Sequence, residues 1–148
     1  MNQKLRDQII SIINDVNDMT IATIREDGFP QATTVSYIND DFTIYFITAA
    51  DGQKAHNIAR NNKISLTINR DYQNWGDIEG LSMGALAMSV SDPKEKEKIG
   101  TLLLEKFPQA AQYEPATDID LAFFFIEPKV ISILDYKKGF GHTELIKI

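Results

Sequence analysis

Three side chains that could bind an anion lie where an apolar strand passes into a helix. The apolar run 44–47 ends at Thr48, and a helix is predicted to begin at Asp51, whose carboxylate can cap the first turn. Lys54 then places a cation at the positive end of the helix dipole, which is unfavourable unless an anion binds there. A phosphate would contact free N–H groups, the Thr48 hydroxyl and the Lys54 ammonium. The same residues also allow a solvated lysine beside an ordinary helix cap.

The other residues of catalytic type form no known catalytic arrangement. The two histidines, His56 and His142, are widely separated, and the chain has no cysteine. A metal site, a disulfide and a thiol nucleophile are therefore not expected. No serine lies in a nucleophile-elbow sequence, so hydrolase chemistry has no support. The pair Gly80 and Gly84 lies in a strand pattern and is not a dinucleotide-binding motif.

Composition limits both the class of protein and its partners. The 148 residues, 43% hydrophobic and 24% charged, fit a single globular domain over residues 1–148. No apolar run is long enough to span a bilayer and no signal peptide is evident, so we expect a cytoplasmic protein with no membrane partner. The net charge of −6 argues against nucleic-acid binding. An anionic cofactor would need a local group of cations, which Lys54, Arg60, Lys63 and Arg70 could supply.

Apolar periodicity predicts the elements that must position these residues. Helices are predicted at residues 3–17, 51–61 and 92–107. Strands are predicted at residues 19–25, from residue 30 onward, and at 42–48, 63–70, 81–90, 121–126 and 130–134, with turns at 26–28 and 39–41 and a polar loop at 108–118. Many short strands with a few helices in one domain favour a closed or nearly closed barrel.

The order and spacing of several motifs resemble one family in particular. The motifs are GFPQATTVSYIND, then DFTIYFIT followed by Lys-Ala-His, then LSMGALAMSVSD and KFP, and the similarity covers residues 18–135. They resemble the pyridoxamine 5′-phosphate oxidase-like flavoproteins, and especially their small general stress proteins. The resemblance implies a mainly β fold with flanking helices, the FMN-binding split β-barrel.

The resemblance also implies a flavin site. Thr48 matches a flavin- or phosphate-contacting threonine and Lys54 a phosphate-binding lysine. Trp75 is expected either to cap the flavin ring or to pack on the barrel, and Glu79 falls near a ring-contacting glutamine. Backbone groups of four β-strand residues are expected to line the ring. The implied cofactor-binding residues are Thr33, Thr34, Val35, Ser36, Thr48, Gln53, Lys54, Trp75 and Glu79.

Several positions depart from the pyridoxamine oxidases themselves. Thr33 and Gln53 stand where those enzymes have arginines, and Ile38 stands where they have a lysine. Their arginine-rich carboxyl-terminal signature is also absent. We therefore expect no oxidation of pyridoxamine 5′-phosphate, and no catalytic residue is assigned.

The resemblance implies a homodimer that holds its cofactor between subunits. The favoured function is a flavin-dependent oxidoreductase of unknown substrate. A non-catalytic flavin carrier or stress-protective binding protein is the main alternative. A deazaflavin coenzyme would suit the same fold, and a haem-binding relative is a further alternative, motivated by His142 in its glycine-flanked tail.

Overall fold

Three α-helices and eight β-strands make up the computed structural model, which describes residues 1–113 and 119–148. The predicted polar loop 108–118 therefore lies partly outside the described residues. The helices are α1 (Gln3–Asp15), α2 (Gln53–Arg60) and α3 (Pro93–Lys106). The strands are β1 (Asp18–Ile24), β2 (Pro30–Ser36), β3 (Ile38–Asp40), β4 (Thr43–Ala49), β5 (Lys63–Asn69), β6 (Glu79–Val90), β7 (Leu121–Asp135) and β8 (Thr143–Lys147). Short 3-10 helices cover Trp75–Asp77, Pro108–Gln112 and Tyr136–Lys138.

All eight strands belong to one antiparallel sheet that curls into a half-barrel. The strand order is β2-β1-β5-β6-β7-β4-β3, and β8 pairs with β7. The two edges of this order, β2 and β3, are consecutive in the chain. This architecture confirms the mainly β split barrel with flanking helices that the sequence predicts.

The inner face of the sheet holds the main apolar core. Helix α1 contributes Ile9, Ile12 and Ile13, all fully buried, at the helical spacing seen in the sequence. Phe46 of β4 stacks on Phe124 of β7 with ring centroids 5.1 Å apart. Removing this apolar surface from water is the main stabilisation of the half-barrel.

Helix α3 covers the outer face of the sheet through a second apolar cluster. Asp92 caps this helix by accepting a hydrogen bond from the Lys94 N–H at 3.1 Å, and Pro93 opens it, in agreement with the helix predicted at 92–107. Ile99 is fully buried among residues of β3, β4 and β6. Strand β4 therefore packs on both of its faces, as its continuous apolar run 44–47 would allow.

The predicted break at residues 127–129 is wrong, because β7 is a single strand of 15 residues. Its pairing with β6 slips where Ala85 opposes Pro128 and Gly84 opposes Val130, which leaves Lys129 as an extra residue. A β-bulge tolerates proline and an unpaired residue without ending the strand. The Lys129 carbonyl accepts a hydrogen bond from the N–H of Ile148 at 2.9 Å. Ile148 directly follows β8, a strand that the sequence did not predict.

Both turn predictions identify a chain reversal, but one of them is misplaced. Residues 26–28 form the loop of the β1–β2 hairpin, where Gly28 takes a positive φ of 89°. Residues 39–41 were predicted as a turn, yet Asn39 and Asp40 pair with β4 as part of β3. The reversal lies instead at Asp41 and Phe42, and Asp41 has a φ of 49°.

Candidate functional site

A polar pocket of about 220 Å³ opens at the amino end of α2. It forms because the curled sheet brings β1 and β2, at one edge, against the end of β4 and the first turn of α2. We call it the α2 pocket, and its lining residues are Thr23, Gln31, Thr33, Thr48, Gly52, Gln53 and Lys54. Four of the predicted cofactor-binding residues are therefore brought together: Thr33, Thr48, Gln53 and Lys54.

The amino end of α2 has no side-chain cap. The predicted cap at Asp51 is wrong, because the N-cap residue is Gly52 and no side-chain cap hydrogen bond forms there within the described residues. Strand β4 continues through Ala49, and the Gly52 N–H donates to the Ala49 carbonyl at 3.1 Å, so Asp51 falls inside the turn. The first N–H groups of a helix have no partner within the helix. Those of α2 therefore remain available to an anion.

Lys54 is a partly buried cation in this pocket. No carboxylate of residues 1–113 and 119–148 forms an ion pair with it. Burial lowers the pKa of the Lys54 ammonium, since removal from water disfavours its charged form. Arg25, on the other side of Gln53, is already paired with Asp27 at 3.2 Å. An anion in the α2 pocket would supply the counter-charge that Lys54 otherwise lacks.

Thr33 adds a second unsatisfied group to the pocket. Its hydroxyl oxygen is buried and finds no hydrogen-bond partner within the described part of the chain. A buried hydroxyl without a partner is costly, and such groups are rare in folded proteins. The orphaned hydroxyl, the uncapped helix and the unpaired ammonium together suit the phosphate of a nucleotide-like cofactor.

An amide network under the pocket was missed in the sequence. Asn57 is fully buried; it accepts from the Gln53 side chain at 2.8 Å and donates to Thr23 Oγ1 at 3.0 Å and to Gln31 Oε1 at 3.3 Å. The network ties the first turn of α2 to the β1–β2 hairpin. The spacing of Gln53 and Asn57, four residues apart on a helix, was the one available signal.

A larger apolar groove lies between α3 and the outer side of the sheet. It has a volume of about 640 Å³, and Val35 and Ser36 reach it from β2. We call it the α3 groove. The lining residues that the structure describes are all uncharged: Val35, Ser36, Ile38, Ile47, Leu103, Phe107, Gln109, Ala110, Tyr113 and Leu121. Because Thr33 lines the α2 pocket and Val35 lines the groove, the two cavities border the same strand.

Two of the predicted cofactor-binding residues, Thr34 and Glu79, line neither the α2 pocket nor the α3 groove. Thr34 is exposed and is paired with Thr20 of β1. Glu79 accepts a hydrogen bond from Arg70 at 2.6 Å and from the Gln8 amide at 3.0 Å, and the same amide donates to Asp135 at 2.9 Å. Glu79 is therefore held in a polar network that joins α1, β6 and β7 to Arg70, the residue that follows β5.

Trp75 also lies outside both cavities, in an exposed aromatic group. It is 67% exposed and stacks on Phe140 with centroids 6.2 Å apart. Tyr136 meets Phe140 edge to face at 5.3 Å. In the same carboxyl-terminal region, His142 lies 3.1 Å from Glu144 Oε1 and lines neither cavity.

The sequence matches the family model described as pyridoxamine 5′-phosphate oxidase over residues 5–135. That match covers most of the chain, including every strand that borders the α2 pocket. The chain belongs to the pyridoxamine 5′-phosphate oxidase family. The family predicted from sequence motifs is therefore confirmed.

Within this family, the chain is similar to general stress proteins. It is 23% identical over 136 residues to general stress protein 26 of Bacillus subtilis (strain 168), a match that covers 91% of this chain and 92% of that protein. The crystal structure of general stress protein 26 from Bacillus anthracis str. Sterne has a TM-score of 0.72 at 18% identity, over 99% of this chain and 100% of that one. These matches support the predicted general-stress-protein branch.

A haem binding protein from Mycobacterium smegmatis shares the fold more closely. Its structure has a TM-score of 0.80 at 15% identity and covers 99% of this chain, which spans 59% of that longer protein. At this identity the similarity establishes the fold alone.

Among the described helices, none has the length and apolar character needed to cross a bilayer.

Proposed function

We propose that this protein binds FMN and acts as a flavin-dependent oxidoreductase, with the FMN phosphate in the α2 pocket. The observation that carries the proposal is the partly buried Lys54 ammonium, unpaired within the described residues, at the uncapped end of α2. Helix N–H groups and a lysine are a common phosphate-binding pair. Thr48 and the orphaned Thr33 hydroxyl would supply further hydrogen bonds.

The size of the pocket supports partial rather than complete enclosure of the cofactor. At about 220 Å³ it is smaller than the roughly 300–1,000 Å³ typical of sites that enclose a whole ligand. The rest of the cofactor would follow β2, which rises about 13 Å from Gln31 to Val35. Because β2 is an edge strand of the described sheet, its outer backbone groups remain available to the flavin ring.

In this proposal the protein positions a cofactor that carries the chemistry. When bound, flavin supplies hydride or electron transfer at its ring. Lys54, Thr48, Thr33 and the first turn of α2 would hold the phosphate, while the backbone of β2 would orient the ring. Asn57 would act through Gln53, because its buried amide fixes the Gln53 side chain at the pocket wall.

Reconstitution with FMN tests the proposal directly. We expect the purified protein to bind FMN with a shifted flavin absorbance and quenched fluorescence, and the bound flavin to be bleached by a reduced nicotinamide cofactor. Binding without reduction by any nicotinamide donor would favour the alternative of a non-catalytic flavin carrier. A failure to bind FMN would contradict both, and a deazaflavin coenzyme should then be titrated in the same assay.

We further propose a homodimer in which each partner completes the other's site. The small α2 pocket and the open edge of β2 would leave much of a flavin in water in a single chain. Trp75 and Glu79, which lie outside both cavities of one protomer, would then approach the flavin of the partner subunit. Sedimentation of the FMN complex should give a dimer with one flavin per chain. A monomer with full flavin occupancy would contradict this arrangement.

Haem binding is a second candidate, supported by the structural similarity to the haem binding protein of Mycobacterium smegmatis. His142 is the residue that would serve as an axial ligand, although its imidazole lies beside Glu144. Haem titration of the protein and of His142→Ala separates the possibilities. A Soret band lost in the variant would support ligation by His142, whereas a band unchanged by the substitution would exclude it.

A further inference from the structure

We propose that the α3 groove binds a neutral, mainly apolar ring compound and is the substrate subsite of the flavin centre, an inference that rests on the proposed function. Its volume of about 640 Å³ falls within the range of small-molecule sites. Such sites combine an apolar wall with a few polar groups that set orientation. Here Ile47, Leu103 and Phe107 form the wall, and Gln109 and Tyr113 lie at the rim.

The absence of charge from the described lining is the main reason to expect a neutral ligand. Transfer of an ion into an apolar cavity without a partner is strongly unfavourable. The nearby Lys106 does not offer that partner, because its ammonium donates to the Val16 carbonyl at 2.8 Å and to the Tyr37 carbonyl at 2.9 Å. Burial lowers the pKa of Lys106 to about 8, so its surroundings already disfavour charge.

A carboxylate behind the groove would repel an anion further. Asp18 accepts a hydrogen bond from the Ser36 hydroxyl at 2.9 Å, which places negative charge behind one groove residue. Ligands with a phosphate or carboxylate would therefore be disfavoured. This agrees with the expectation that pyridoxamine 5′-phosphate is not a substrate.

The position of the groove connects it with the proposed flavin. Alternate residues of a strand lie on the same side, and Thr33 and Val35 are two residues apart on β2. The first lines the α2 pocket and the second lines the α3 groove. A flavin whose phosphate lies in the α2 pocket and whose ring follows β2 would end beside the groove.

Two ring compounds of matched size test the preference for neutral ligands. Naphthol, uncharged at neutral pH, and the anion naphthoate are titrated calorimetrically into the FMN-loaded protein. We expect naphthol to bind at least about tenfold more tightly. Equal affinities, or tighter binding of naphthoate, would overturn the inference. Loss of naphthol binding on FMN loading of the apoprotein would also overturn it, because the groove would then hold the flavin ring itself.

Two variants and a control place the ligand in the groove. Leu103→Glu puts a carboxylate on the groove wall and should weaken naphthol binding at least about tenfold. The control is Leu104→Glu, on the exposed side of the same helix, which should bind naphthol as the parent does. Equal losses in both variants would contradict the site.

Gln109→Lys adds a positive charge at the rim of the groove and is an exposed change with little cost to folding. It should strengthen naphthoate binding and leave naphthol binding unchanged. No gain in naphthoate affinity would count against the groove.

Measuring FMN affinity on the same preparations separates the two proposals. If FMN binds normally and naphthol shows no groove-dependent binding, only the substrate inference fails. If FMN does not bind, the proposed function fails whatever naphthol does, and the groove cannot be the subsite of a flavin centre.

Discussion

Lys54→Ala is expected to weaken FMN binding about ten- to hundred-fold. A charge-assisted contact with a phosphate contributes roughly 1.5–3 kcal/mol, which corresponds to that change in affinity. The effect should lie toward the upper end, because Gln53 is neutral and Arg25 is already paired with Asp27. Titration with FMN, followed by the quenching of flavin fluorescence, measures the loss.

Riboflavin and a second lysine variant serve as controls for this prediction. Riboflavin lacks the phosphate, so Lys54→Ala and the parent should bind it almost equally. Lys63→Ala removes the same charge from an exposed position at the start of β5 and should leave FMN binding within about twofold. The phosphate assignment would be wrong if FMN affinity were unchanged in Lys54→Ala, or if riboflavin lost as much affinity as FMN.

Phe46→Ala is expected to lower the free energy of unfolding by about 3–5 kcal/mol. Phe46 has no exposed surface, and its ring stacks on Phe124. Its truncation removes a large apolar group and leaves a cavity that the two paired strands cannot close. For a chain of this size the melting temperature should fall by roughly 6–20 °C.

The exposed Phe29 supplies the matched control for this substitution. Its side chain is 69% exposed at the β1–β2 hairpin, so Phe29→Ala should change stability by no more than about 0.5 kcal/mol. Denaturant unfolding followed by circular dichroism measures both variants. Similar losses in the two variants would show that the stacked pair on β4 and β7 does not anchor the core.

Local patterns in the sequence were enough to predict most of the fold. Apolar spacing identified α1, and the Asp92-Pro93 pair identified the start of α3, because these signals depend on neighbours in the chain. The start of α2 was misplaced because Asp51 and Gly52 are both acceptable caps. The choice depends on how far β4 stays paired with β7, at Ala49 opposite Leu121, and that pairing is non-local.

The candidate site was predictable only in part, for a similar reason. Thr48 and Lys54 are near in sequence, so their common location follows from a strand-to-helix turn. The burial of Asn57 depends on a hairpin more than twenty residues away, which no local pattern reveals. The roles of Trp75 and Glu79 stay predictions, since both depend on how a second protomer would lie against this one.

The open edge of β2 has a consequence for the protein before it acquires a ligand. A strand with unpaired N–H and C=O groups is a template for any extended chain, and exposed edges of this kind lead to aggregation. Pro30 at the start of the strand reduces that risk but does not remove it. The cofactor and the partner subunit would therefore also act as protective covers. Protein produced in flavin-starved cells should accumulate as insoluble material. Flavin supplied during synthesis should keep the protein in solution.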